Sequence, residues 1–287
     1  MARRYRSPQL LLPVLAGALV ALMLGGLALL APAPEAQAQS GAVKVEWLTW
    51  SFFRFTSPKG KVILTNPFMA GNPDAKVTLA DINRADLILV PNGHGDEIGQ
   101  TVDIAKKTGA RTVAPWELSQ WFVGKGLPEA QVMRRNPGSR VVWEGITTRV
   151  LGSVHGSGSG RATDSDIAPI YGGVASSFMV TFENGWTVYF TGSSAATHDM
   201  AHWGAMYKPD ALIFIMAPGQ EPKDVALTVK LVMTENPNLK TLIPHHHRVT
   251  PPPGATSIEE VRAALSAIGI NIPITNPVLG QIYEFSK

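Results

Sequence analysis

The chain has 287 residues, no cysteine and a formal net charge of +3. The lack of cysteine excludes disulfide bonds and thiolate metal sites, so any bound metal must be held by imidazole, carboxylate or other oxygen ligands. Three arginines and one glutamate precede residue 39, and without them the net charge falls to +1. Residues 39–287 contain no basic run, which argues against a nucleic-acid partner.

The N-terminus combines early arginines with a long apolar run. Three of the first six residues are arginine, Leu10–Ala31 is apolar, and the small residues Ala36-Gln37-Ala38 follow. This pattern predicts a signal peptide over residues 1–38, and hence a periplasmic or secreted protein. Because a run of ~20 apolar residues can also span a bilayer, an uncleaved membrane anchor is the alternative. Only that anchor would bring the chain to a membrane.

Residues 39–287 alternate between strand and helix patterns, which predicts one α/β domain. The predicted strands are Val43–Thr49, Ser51–Thr56, Lys61–Thr65, Leu87–Val90, Arg111–Ala114, Arg140–Trp143, Thr147–Leu151, Ser176–Phe182, Trp186–Thr191, Ala211–Met216, Thr241–Ile243, Ile272–Ile274 and Gln281–Phe285. The predicted helices are Ile98–Thr108, Trp116–Val123, Thr197–Tyr207, Lys223–Glu235 and a helix that runs through Ile268 after a Ser257 cap. No change in composition indicates a second domain.

The stretch that organises the chain is a buried strand followed by a polar loop. The apolar run Leu87–Val90 is followed by Pro91-Asn92-Gly93-His94-Gly95-Asp96-Glu97. The glycines allow sharp turns, so that several polar side chains can converge on one point. Polar ligands on a loop that a rigid strand holds are typical of a metal or catalytic site.

This loop resembles the first metal-binding loop of the metallo-β-lactamase superfamily, in particular of its ascorbate-6-phosphate-lactonase-like branch. The family pattern is His-x-His-x-Asp-His after a strand. Its four positions are occupied here by Asn92, His94, Asp96 and Glu97. Later landmarks follow in the family's order: His155 on a small-residue loop, Gly192-Ser193-Ser194 in place of Gly-Asp-Thr, Tyr207-Lys208-Pro209-Asp210 before a strand, and His246 after Ile243-Pro244. The resemblance implies a four-layer αββα sandwich and a metal-dependent hydrolase.

Carried over by position, the resemblance implies two ligand sets. One contains Asn92, His94 and His155, and the other contains Asp96, Glu97 and His246, with Ser193 in place of the bridging aspartate. The side chains that can ligate well are His94, Asp96, Glu97, His155 and His246. Both carboxylates lie on one loop. We therefore predict a single divalent transition metal, either zinc, manganese or iron.

The resemblance also gives Asp96 a catalytic role, because the family's first-loop aspartate ligates the metal and orients the attacking water. The implied small-molecule substrate is an ester, a lactone or a phosphoester. Nothing in the sequence indicates an oligomeric state.

Several alternatives stay open at the level of sequence. Asn and Ser oxygens are poor zinc ligands, so a non-catalytic protein of the same fold, binding a ligand or partner and no metal, is the second hypothesis. His94 could be a hydrogen-bonding loop residue, and Glu97 a charge at a helix N-terminus. The stretch from His155 to Asp166 contains almost no apolar residue, a composition that is typical of a mobile lid or a disordered insert.

Overall fold

The computed structural model describes residues 41–159 and 170–287, and these form two large β-sheets with helices. The predicted signal peptide and the end of the predicted polar insert, residues 160–166, lie outside the described residues. The strands are β1 Val43–Thr49, β2 Phe52–Thr56, β3 Val62–Thr65, β4 Leu87–Leu89, β5 Arg111–Ala114, β6 Val132–Arg134, β7 Arg140–Trp143, β8 Ile146–Gly152, β9 Gly158–Ser159, β10 Ile170–Tyr171, β11 Ser176–Thr181, β12 Thr187–Phe190, β13 Ala211–Ile215, β14 Thr241–His245 and β15 Ile282–Phe285.

The described α-helices are α1 Gly95–Ile98, α2 Thr101–Thr108, α3 Trp116–Gly124, α4 Asp199–Tyr207, α5 Pro222–Val232 and α6 Ile258–Ala267. Two 3₁₀ turns lie at Leu79–Asp81 and Glu129–Gln131. None of the helices within 41–159 and 170–287 has the length and apolar character to cross a bilayer.

The first sheet has the strand order β15-β1-β2-β3-β4-β5-β6, and the second has the order β14-β13-β12-β11-β8-β7. Pairing is parallel from β3 to β6 and from β12 to β14, and antiparallel elsewhere in the two sheets. β9 and β10 form a separate two-stranded ribbon.

Three apolar clusters define four layers. The central cluster joins the facing sides of both sheets, for example Phe53 and Ile63 from the first and Phe178 and Phe190 from the second. A second cluster packs α2 and α3 on the outer face of the first sheet, and a third packs α4, α5 and α6 on the outer face of the second. Burial of apolar surface on both faces of each sheet accounts for the continuous apolar runs in the central strands. The predicted αββα sandwich is confirmed.

Most predicted elements are confirmed, and the exceptions have local causes. The predicted helix Ile98–Thr108 is two helices, because Gly99 (φ 45°) breaks the backbone between α1 and α2. A Cβ at Gly99 would lie 2.2 Å from the Pro67 carbonyl oxygen, so only glycine fits this close approach. The predicted strand Ile272–Ile274 was wrong: Ile274 forms only an isolated bridge to Leu242.

Candidate metal centre

The candidate site lies where the loops that follow β4, β8, β12 and β14 meet. The Val154 N–H donates to Ser194 Oγ at 3.0 Å, which joins the loop after β8 to the loop after β12. The His246 N–H donates to the Trp50 carbonyl at 3.1 Å, which joins the end of β14 to the β1–β2 turn. Side chains far apart in the sequence therefore come together at one edge of the sandwich.

Close backbone packing brings His94 and His155 together. The Gly93 N–H donates to Ser157 Oγ at 3.1 Å, and a Cβ at Gly93 would lie only 2.5 Å from the Ser157 carbonyl oxygen. With glycine in that position, His94 Nδ1 lies 3.2 Å from His155 Nε2. Burial, with added effects from the charges of His94 and His246, lowers the pKa of His155. The ring is therefore neutral at pH 7, the form that binds metals.

A second group brings Asp96 and Glu97 to His246. His246 Nε2 lies 3.5 Å from Asp96 Oδ2 and 3.4 Å from Glu97 Oε1. Asp96 Oδ2 also accepts a 2.9 Å hydrogen bond from Trp50 Nε1. Burial alone would raise the pKa of Asp96, but the hydrogen bond and charge of His246, together with the Trp50 bond, lower this pKa to about 2. The carboxyl is thus ionised at neutral pH.

Glu97 is fully buried and its carboxylate accepts hydrogen bonds from Asn66 Nδ2 and Ser193 Oγ. Burial raises the pKa of Glu97, the His246 charge opposes this, and Asp96 adds to it. Asn92 is also fully buried. Its Oδ1 accepts from the His94 N–H at 3.0 Å, whereas its Nδ2 has no hydrogen-bond partner among the described residues.

The far side of His246 is held by its neighbour. His246 Nδ1 lies 2.7 Å from His245 Nδ1, and His245 is fully buried and stacked on Phe190. Strict alternation along a strand would separate these two rings. They meet because His246 has a left-handed backbone (φ 61°) just after β14 ends. His247 lies apart from them, stacked on Trp47 with ring centroids 4.6 Å apart.

The residue types and the distances between their donor atoms fit a metal, although each short distance joins only two side chains. Two ligands of a tetrahedral ion with bonds of ~2.1 Å lie about 3.4 Å apart. The distances of 3.2 Å (His94–His155), 3.4 Å (Glu97–His246) and 3.5 Å (Asp96–His246) match that separation. In residues 41–159 and 170–287, however, no group of three or more such side chains is arranged to hold a metal ion. The five ligand assignments therefore stay predictions.

Sequence reasoning missed Trp50, Asn66 and His245. Trp50 lies 46 residues before Asp96 and Asn66 lies 31 residues before Glu97, so the fold alone brings them into contact with these carboxylates. The position of His245 beside His246 was visible in the sequence, but the contact between the rings depends on the backbone turn. His198 and His202, four apart on a predicted helix, are both exposed.

The partly buried His247 predicts a pH dependence of stability. Burial, with a contribution from the His246 charge, lowers the pKa of His247 from 6.5 to about 4. Between pH 4 and 6.5 the unfolded chain binds more protons at His247 than the folded chain does, so the free energy of unfolding rises with pH over this range. Below pH 4 this contribution to stability is lost. The shift corresponds to roughly 3 kcal/mol. We expect the free energy of unfolding of chelator-treated His247→Phe, measured with denaturant, to rise less steeply with pH between pH 4 and 6.5 than that of the original chain or of the control His202→Gln. An unchanged slope in His247→Phe would contradict the assignment.

Two large sheets flanked by helices, with loops that converge on imidazoles and carboxylates at one edge, define a protein of the metallo-β-lactamase fold. Solved structures share that fold. A metallo hydrolase from Ignicoccus hospitalis, Igni18, is 22% identical with a TM-score of 0.68 and covers 86% of this chain and 100% of its own. The metallo-β-lactamase fold protein YhfI of Bacillus subtilis is 12% identical with a TM-score of 0.59, covering 86% and 100%.

The chain belongs to the UPF0173 metal-dependent hydrolase family. A member from Thermodesulfovibrio yellowstonii is 32% identical over 254 residues, which is 85% of this chain and 92% of the relative. A member from Rubrobacter xylanophilus is 28% identical over 244 residues, 84% of this chain and 97% of its own length. No protein-family model matches the sequence.

Proposed function

We propose that this protein hydrolyses an ester, a lactone or a phosphoester with a single divalent metal ion. The metal would be zinc, manganese or iron, and the substrate a small molecule. The spacing of His246 Nε2 from Asp96 Oδ2 and Glu97 Oε1 is the observation that carries the proposal. Membership of a metal-dependent hydrolase family supports it. The polar loop's likeness to ascorbate-6-phosphate lactonases supports a place in that branch.

The proposed ligands are Asp96, Glu97 and His246, with His94 and His155 on the adjoining side. A metal held there would supply Lewis acidity towards a carbonyl or phosphoryl oxygen and would acidify water. Asp96 is ionised and fixed by Trp50, so it accepts a hydrogen bond from the attacking water and orients it. The proposed contribution of Asp96 is therefore the orientation of that water.

The bonds to Glu97 favour one metal over two. In the family's pattern an aspartate bridges two ions. Ser193 stands at that position here and donates to Glu97, while Asn66 donates to the other carboxylate oxygen. Each donor occupies a lone-pair direction that a second ion would need, and Ser193 brings no negative charge to offset a second divalent ion.

The same bonds also support the alternative, a non-catalytic protein that keeps the fold to bind a ligand or partner. A panel of lactones, carboxylic esters and phosphoesters, assayed with added zinc, manganese or iron, separates the two. If the protein is a metal-dependent hydrolase, we expect turnover that a chelator removes and that one of these metals restores. The triple variant Asn92→His, Glu97→His, Ser193→Asp is the comparison. Activity that appears only in the triple variant would favour the non-catalytic alternative.

We propose that the protein is exported to the periplasm or secreted, on the basis of the arginines and apolar run before residue 39. Mass spectrometry of the protein from a fractionated cell tests this. A chain that starts at Gln39 in the periplasmic or secreted fraction is the expected result. A full-length chain in the membrane fraction would instead indicate an uncleaved anchor.

A further inference from the structure

An arginine pair lies on the second sheet, away from the metal centre. Arg140 on β7 and Arg149 on β8 are directly opposite each other in the antiparallel register, so their side chains share one face of the sheet. Arg149 precedes His155 by six residues along β8 and its following loop, a separation of at most about 20 Å. β7 is the edge strand of this sheet, and Arg140 is exposed.

Arg140 and Arg149 line a cavity of about 330 Å³ together with Ser139 and Tyr207. Ser139 and Tyr207 each carry a hydroxyl group, and no acidic residue lines the cavity. In residues 41–159 and 170–287, neither arginine forms an ion pair with an acidic side chain. The residues that line the cavity therefore carry positive charge and hydroxyl groups, beside a few apolar side chains.

Like charges directly opposite each other on paired strands are destabilising unless an anion lies between them. One of the two arginines is already held in place. The Arg149 guanidinium lies over the Tyr207 ring, 4.7 Å from its centroid, and Nη1 is 3.4 Å from Thr181 Oγ1. Less side-chain freedom is then lost when this group binds a ligand.

From this arrangement we infer a second binding site, formed by Arg140, Arg149, Ser139 and Tyr207, for a small molecule that carries a phosphate group. The planar fork of a guanidinium matches two phosphate oxygens, and two such forks can neutralise a dianion. Hydroxyl donors suit the remaining oxygen. The inference is independent of the proposed hydrolase activity, because none of these residues belongs to the metal centre.

Calorimetric titration of the full chain with inorganic phosphate tests this site. The protein is first treated with a chelator, so that phosphate cannot bind a metal, and the ionic strength is kept constant with chloride. We expect one phosphate per chain, with affinity at least about tenfold weaker in Arg140→Gln/Arg149→Gln because both charge-assisted forks are lost. The control Arg84→Gln/Arg262→Gln removes the same charge from exposed ion pairs on other surfaces and should stay within about twofold, since only general electrostatics change. Equal weakening in test and control, or no binding by the original chain, would overturn the inference.

Thermal unfolding gives a second readout that does not depend on calorimetric heat. Without phosphate, Arg140→Gln should unfold at or above the temperature of the original chain, because the repulsion between the two arginines is removed. Added phosphate should raise the unfolding temperature of the original chain but not that of the variant. A phosphate-dependent rise of the same size in Arg140→Gln would overturn the inference.

Discussion

Replacing Asp96 with asparagine should lower kcat/KM for the best substrate of the panel by roughly 10²-fold, because the attacking water is no longer oriented and a negatively charged ligand is lost. The change is nearly isosteric, and the amide oxygen can still accept the hydrogen bond of Trp50. What it removes is the negative charge next to His246, 3.5 Å away. Both the orientation of water and the attraction of a cation then weaken.

Asp103→Asn is the matched control for this substitution. Asp103 is an exposed residue in the first turn of α2, so its replacement changes the same functional group outside the site. Activity should stay within about twofold, because an exposed helix charge contributes only tenths of a kcal/mol. Equal activity in Asp96→Asn and Asp103→Asn would remove Asp96 from the mechanism. Metal affinity of both variants, measured by chelator competition, shows whether the loss arises in binding or in turnover.

Removing the nitrogen acceptor of His245 should weaken metal binding by roughly 10–100-fold, as is typical when the partner of a ligating histidine is lost. If His246 presents Nε2 to the metal, its proton lies on Nδ1 and is donated to His245 Nδ1, 2.7 Å away. This bond fixes both the tautomer and the ring orientation of His246. His245 is thus a positioning residue, which acts only through its neighbour.

A pair of variants separates positioning from packing. In His245→Leu the acceptor is lost while an apolar side chain still fills the space beside Phe190. In His245→Asn the amide oxygen can take the place of Nδ1 and should restore most of the affinity, although the smaller side chain packs less well. If both variants bind the metal equally well, or His245→Asn binds less tightly than His245→Leu, the positioning role is wrong. The nitrogen NMR shifts of His246 report its tautomer directly.

More of the fold than of the candidate site could be predicted from the sequence. Apolar runs such as Leu87–Val90 and Ala211–Met216 are buried on both faces, so their composition alone indicates central strands. The short strand Val132–Arg134 was not predicted, since three residues with an arginine carry no periodic pattern. The β9–β10 ribbon was missed for the same reason, because each of its strands has only two residues.

The polar loop was located from its sequence because its polar side chains follow a recognisable strand and alternate with glycines. The environment of each of these side chains was not predictable in that way. Asp96 is held by a tryptophan 46 residues earlier, and Glu97 by an asparagine 31 residues earlier and a serine 96 residues later. Such contacts depend on which strands are neighbours in the two sheets. The sequence order alone does not determine them.

The metal content of the protein, purified without added metal and measured by elemental analysis, shows directly whether His94, Asp96, Glu97, His155 and His246 hold one metal ion. We expect about one equivalent of a single transition metal per chain, most of it lost in His246→Ala. Two equivalents would contradict the single-metal site. Less than about a tenth of an equivalent, with no uptake when zinc, manganese or iron is supplied, would contradict metal-dependent hydrolysis by this chain.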